Sequence, residues 1–124
     1  MPSDMMVMWV RIPPGLFMAG VVNIKSESFD EYIGRQEGDK HWGNPWSSKP
    51  SKFKVIRVAS PERAVQLFDD WLDGKYPDVE PERRRWILVS LPRLKGKVLG
   101  CHCGKGKPCH GNVLSRRAEE IVED

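Results

Sequence analysis

No apolar run in these 124 residues approaches the length needed to cross a bilayer, so a membrane-spanning helix is excluded and no membrane partner is expected. Cysteine is scarce: there are three, an odd number, all between Cys101 and Cys109. That scarcity excludes the disulfide framework of a small secreted protein and points to a metal or reactive-thiol site in a reducing compartment, hence to a cytoplasmic protein. No internal repeat is visible. A secretory signal is missing too, because Asp4, Arg11 and Pro13-Pro14 interrupt the only candidate stretch. Residues 1–17 hold no lasting periodicity and read as a loose leader or a start codon placed too early, with Met18 as the true start.

Acidic residues are absent from one long segment. Residues 83–118 contain ten of the twenty Lys and Arg and no Asp or Glu, a charge of +10, so the remainder must carry −7 to give the net +3. A basic third surrounding the cysteines suggests an anionic partner, either a phosphorylated or nucleotide-like small molecule or nucleic acid; a solvated surface is the plainer alternative.

What is present fits one domain, with 40% apolar and 30% charged residues. Val21–Lys25 reads as a short apolar strand and Glu31–Arg35 as a second extended piece, expected to pair as neighbours. Residues 34–51 form a long Gly-, Pro- and Ser-rich loop containing Trp42 and Trp46, which either cap the core or offer a stacking surface. Lys52–Val58 is a candidate edge strand. Ser60-Pro61 opens the clearest helix, with Ala64, Val65, Leu67, Phe68, Trp71 and Leu72 at helical spacing until Gly74. A second helix follows from about Asp78–Pro81 to Ser90, with Trp86, Ile87 and Leu88 inward and Arg83–Arg85 on its outer side. Lys97–Cys103 reads as a buried strand, and the last helix begins near Cys109 or His110. The fold class expected over residues 18–124 is α/β: a small single domain with a mixed sheet of about three to four strands and packed helices.

The Cys101–Asn112 junction carries the chemistry. Cys101 and Cys103 share one face of a strand, so with Cys109 and His110 they form a possible Cys3His zinc set, although the spacing fits structural zinc sites poorly. The metal-free alternative needs no cofactor. Cys109 at a helix start gains a lowered pKa and becomes a nucleophile with His110 as base, while Lys105, Lys107 and the N–H groups around Gly111 and Asn112 hold phosphate. The loop lacks the Gly-Lys-Ser/Thr ending of a Walker motif. Tyr32, Arg35 and Asn44 supply polar contacts, and Trp42 or Trp46 stacks on a base. The competing reading is a small zinc-stabilised nucleic-acid-binding module. Buried, inert cysteines are the plainest reading of Cys101 and Cys103. Oligomeric state is not legible.

Taken together, Tyr32-Ile33-Gly34-Arg35, Trp42-Gly43-Asn44-Pro45-Trp46, Leu94-Lys95-Gly96-Lys97 and Cys101-x-Cys103 with Pro108-Cys109-His110-Gly111-Asn112-Val113-Leu114 resemble the domain of unknown function 4326 family of bacteria and phages. The resemblance covers roughly residues 21–122. By that resemblance an aromatic is usual where His102 stands, and Asp where Asn112 stands, so Asn112 lacks a carboxylate that would polarise the neighbouring imidazole. The Cys-His-Gly ending is also similar to the domain of unknown function 488 proteins. Both resemblances imply a small α/β scaffold and no established reaction.

Overall fold

Ser60 starts helix α1 (Pro61–Leu72): its backbone is extended, with φ −148°, and its Oγ accepts the Arg63 N–H at 3.1 Å. Pro61 adds a pre-set φ where no hydrogen-bond donor is missed. The apolar stripe then buries Ala64, Leu67, Phe68, Trp71 and Leu72. Full burial of side chains such as Phe68 and Leu72 stabilises by about 1.5–3 kcal/mol each. Gly74, at φ 97°, ends the helix in the left-handed conformation and returns its N–H to the Trp71 carbonyl at 2.9 Å. The computed structural model describes residues 20–25, 27–103 and 108–121. The expected leader, the Met18 start, Lys105 and Lys107 lie outside the described residues.

Three strands make the main sheet: β1 (Gly20–Asn23), β2 (Glu31–Tyr32) and β5 (Val98–Cys101), in the order β1–β5–β2. Val21 pairs with Leu99, and Tyr32 pairs with Gly100. The two early strands are therefore not neighbours as their proximity in sequence suggested. β5 parts them because its Leu99, Gly100 and Cys101 are all buried, and a strand buried in this way belongs at the centre with both edges paired. A second pair joins β3 (Trp46–Ser47), inside the long loop, to β4 (Ile56–Arg57), within the expected edge strand. The α/β single-domain reading holds. In detail the expected mixed sheet is two small ones, and every pair described within them runs parallel.

Helix α2 (Pro81–Ser90) begins without a side-chain cap at Glu80, which holds the left-handed φ of 37°. Such a conformation costs a non-glycine residue energy. The Glu80 carboxylate offsets this by binding Arg83 at 2.7 Å. Arg83 corrects the sequence reading of an outer basic face: it is 3% exposed. Arg84 is also engaged, donating to the Trp71 and Leu72 carbonyls that close α1, and Arg85 alone of the three is exposed. Ile87 is buried, whereas Trp86 and Leu88 are partly so. A short 3-10 turn (Leu91–Leu94) then leads into β5.

Helix α3 (His110–Glu119) packs on β1 and β5 and against α1, which in turn packs on β3. Its Val113, Leu114 and Ala118 join Trp71, Phe68, Ile33, Ile87 and Leu99 in one core. Trp42 packs against Trp86 at a centroid distance of 4.8 Å, and Trp46 meets Trp71 edge-on at 6.2 Å. Both loop tryptophans are thus core residues, the first of the two roles their sequence allowed. No helix among the described residues is long and apolar enough to cross a membrane.

Candidate functional site

The C-terminal end of β5 and the N-terminus of α3 meet at the edge of the parallel sheet, where open α/β folds place their ligands. Cys101 closes β5, Cys103 follows it, and Cys109 is the N-cap of α3. The extended backbone of Cys109 lets its sulfur accept the Gly111 N–H at 3.3 Å, as a hydroxyl does in an ordinary cap. Cys101 accepts the Cys103 N–H at 3.3 Å in the same way. The Cys101 and Cys109 sulfurs are 3.2 Å apart, and all three sulfurs lie within 4.8 Å of one another.

Three thiols this close cannot all ionise independently. Hydrogen bonds from Cys101 and Cys109 pull the Cys103 thiol well below its usual range. Hydrogen bonding to Cys103 raises Cys101, and hydrogen bonding to Cys101 and Cys103, with burial, raises Cys109 further. The expected depression of Cys109 is therefore reversed. The helix N-terminus does reach its sulfur, but neighbouring sulfurs and burial outweigh that dipole. Cys103, partly exposed, is the one of the three whose thiol is pulled down.

His110 is held by its Nε2, 2.7 Å from the Ile33 carbonyl oxygen. A carbonyl only accepts, so Nε2 bears the proton and Nδ1 keeps its lone pair, 3.9 Å from the Cys109 sulfur. Burial pushes the imidazole down to about 4, so it is neutral at pH 7. Phe68 packs edge-on against the ring at 5.2 Å.

A cleft of about 510 Å³ opens beside this junction. It gathers the expected Arg35, Asn44, Trp46, Cys109 and His110 together with Cys101 and Cys103. Lys49, His102 and Ser47, Ser48 and Ser51 also line it, and these were missed, since nothing in a polar loop marks which serines turn inward. Tyr32, Trp42, Gly111 and Asn112 do not line it. Tyr32 instead hydrogen-bonds His102 Nε2 at 3.0 Å, with its hydroxyl pKa raised by burial and by Cys101. The Trp42 indole N–H donates to Glu31 at 3.1 Å, Gly111 is buried against the sheet, and Asn112 is exposed.

Arg35 and Asn44 are partly structural. Arg35 donates to the Asn44 and Trp46 carbonyls, each at 2.9 Å. Asn44 donates to the Ala64 carbonyl at 2.9 Å and accepts the Trp46 N–H at 2.9 Å. These bonds fasten the long loop to α1 and fix the cleft wall. No Asp or Glu is among the described residues that line the cleft. A second cleft of about 500 Å³, which shares Arg35 and Asn44 with the first, differs in this respect, because Glu37, Asp78 and Glu80 line it.

Five described cations of the basic segment are engaged within the protein. Arg83 and Arg84 bind main-chain carbonyls, Lys95 donates to the Ile121 carbonyl at 2.6 Å, and Arg116 and Arg117 converge on Asp69. Comparison with curated proteins and with solved structures gives no match. A family model described as Domain of unknown function (DUF4326) matches residues 22–120.

Proposed function

The chain belongs to the domain of unknown function 4326 family, whose description states no reaction, and from the cleft itself we propose that it binds a phosphorylated, nucleotide-like small molecule. One observation carries this reading. The described lining holds Arg35 and Lys49, hydrogen-bonding Asn44 and serines, and no carboxylate. A cleft lined by cations and polar hydrogens with no carboxylate favours an anionic ligand. Its volume of about 510 Å³ suits a mononucleotide-sized ligand. In sequence, Lys105 and Lys107 stand between two lining residues, Cys103 and Pro108.

The nucleic-acid reading has less support. A phosphate-tracking stripe needs free cations in a row, whereas Arg83, Arg84, Lys95, Arg116 and Arg117 are engaged within the fold. Thermal-shift measurements with mononucleotides and sugar phosphates test the proposal. At least one should raise the melting temperature, by about 2.7 kcal/mol of stability at one hundred times its Kd. Lys49→Ala, on the cleft rim, should weaken that shift. Tight, salt-sensitive oligonucleotide binding with no small-molecule shift would overturn it.

A further inference from the structure

We propose that Cys101, Cys103 and Cys109 bind a thiophilic divalent cation, zinc by the chemistry of the donors, as a three-sulfur site opening on the cleft. The spacing in sequence argued poorly for such a site; the folded arrangement argues for it. Sulfurs around tetrahedral zinc stand about 3.8 Å apart, from a Zn–S distance of about 2.3 Å. One pair here stands 3.2 Å apart and all three sulfurs lie within 4.8 Å of one another, close enough to share one ion.

Backbone donors reach two of the sulfurs. Cys101 and Cys109 each accept a backbone N–H from the residue two positions on, at 3.3 Å in both cases. Such bonds favour the charged sulfur over the thiol and orient it. No carboxylate lines the cleft beside them to compete as a ligand among the described residues. Two of the ligands are mounted on regular elements, Cys101 on the central strand and Cys109 at the cap of α3.

His110 completes the surroundings. Its Nε2–H on the Ile33 carbonyl fixes the ring beside the site, with the Nδ1 lone pair 3.9 Å from the Cys109 sulfur. All three cysteines line the cleft, so the fourth position of a tetrahedral ion faces the proposed ligand space. There the ion adds positive charge to the wall. That last point rests on the anion-binding reading; the metal site does not, and it is read without any ligand.

The test is titration of the reduced full-length chain with cobalt(II) alone. One cobalt per chain should bind, with a sulfur-to-cobalt charge-transfer band and the intense visible bands of a tetrahedral site, and zinc should displace it. Cys103→Ser, at a partly exposed position where the fold is least at risk, should weaken binding by more than about tenfold. Lys49→Ala should leave the titration unchanged while weakening any phosphate-ligand shift, so the two readings fail separately. Absence of the charge-transfer band, an unchanged affinity in a folded Cys103→Ser protein, or isolation of the chain with a Cys101–Cys109 disulfide would overturn the proposal.

Discussion

Arg83 donates to the carbonyl oxygen of Gly43 at 2.6 Å, joining α2 to a loop 40 residues earlier in the chain. The same guanidinium reaches the His41 carbonyl at 3.1 Å and lies 5.3 Å from the Trp71 ring centroid. Its removal leaves two buried carbonyls without their donor. Arg83→Met should therefore cost about 3 kcal/mol in chemical denaturation, and Arg83→Lys should recover little, since one ammonium cannot reproduce the fork. A loss under about 1 kcal/mol would show that water replaces the side chain.

The loop held by Arg83 also makes stability depend on pH. His41 is buried, accepts the Gly43 N–H on Nδ1, and is held down to about 4 by burial and by the charge of Arg83. Its folded pKa lies below the unfolded value, so its contribution is complete above about 6.5 and is lost as pH falls toward 4. The neutral His110 acts in the same direction. Unfolding free energy should fall between these limits by on the order of 2–3 kcal/mol per histidine. His41→Gln should flatten part of the slope; a curve unchanged by this substitution would exclude His41 as its source.

Asp69 extends the acid sensitivity to lower pH. Burial alone raises its pKa, but hydrogen bonds from Arg117 and Arg116 outweigh burial and hold the carboxyl below the usual range. The α1–α3 contact should thus stay intact above about pH 4 and weaken only as pH falls through the depressed value. Arg117→Ala, which also removes the bond to Asp73, should lower stability by about 1–2 kcal/mol at neutral pH. Double-mutant cycles with Asp69→Asn measure the coupling, and a value near zero would count against this ion pair as a fastening of the two helices.

Gly111 sets how closely α3 approaches the sheet. A Cβ there would meet Ile33 Cδ1 at 2.6 Å and Val21 Cγ2 at 2.8 Å. Gly111→Ala should destabilise by about 1–3 kcal/mol although alanine is the better helix former, and Ile33→Val in the same chain should relieve part of the loss. A stabilised Gly111→Ala protein would mean that α3 can lift without cost.

Local signals explain why some elements were legible in the sequence. Ser60-Pro61 marks the start of α1 because a hydroxyl cap and a proline act within one turn. The central place of β5 was less visible, since pairing partners such as Gly20 and Val98 are far apart in the chain. Arg83 was misread because three consecutive arginines look like a wet surface; only the folded loop reveals the carbonyls that receive it. The cysteines were recognised as a group, but linear spacing alone does not show that a strand end and a helix cap bring their sulfurs together. Asn44 and Arg35 line the cleft, and their backbone bonds became apparent only with the loop closed.

The order β1–β5–β2 also bears on how the chain is made. β5, the last described strand to be synthesised, supplies the pairing edge for both β1 and β2. Until Cys101 has left the ribosome, the backbone groups of Val21 and Tyr32 lack their native partners, and the apolar face of β1 stays in water. Completion of this sheet therefore waits for late translation. A pause between Ser90 and Val98 would lengthen the period in which the nascent chain needs shielding, whereas uninterrupted synthesis through this interval would shorten it.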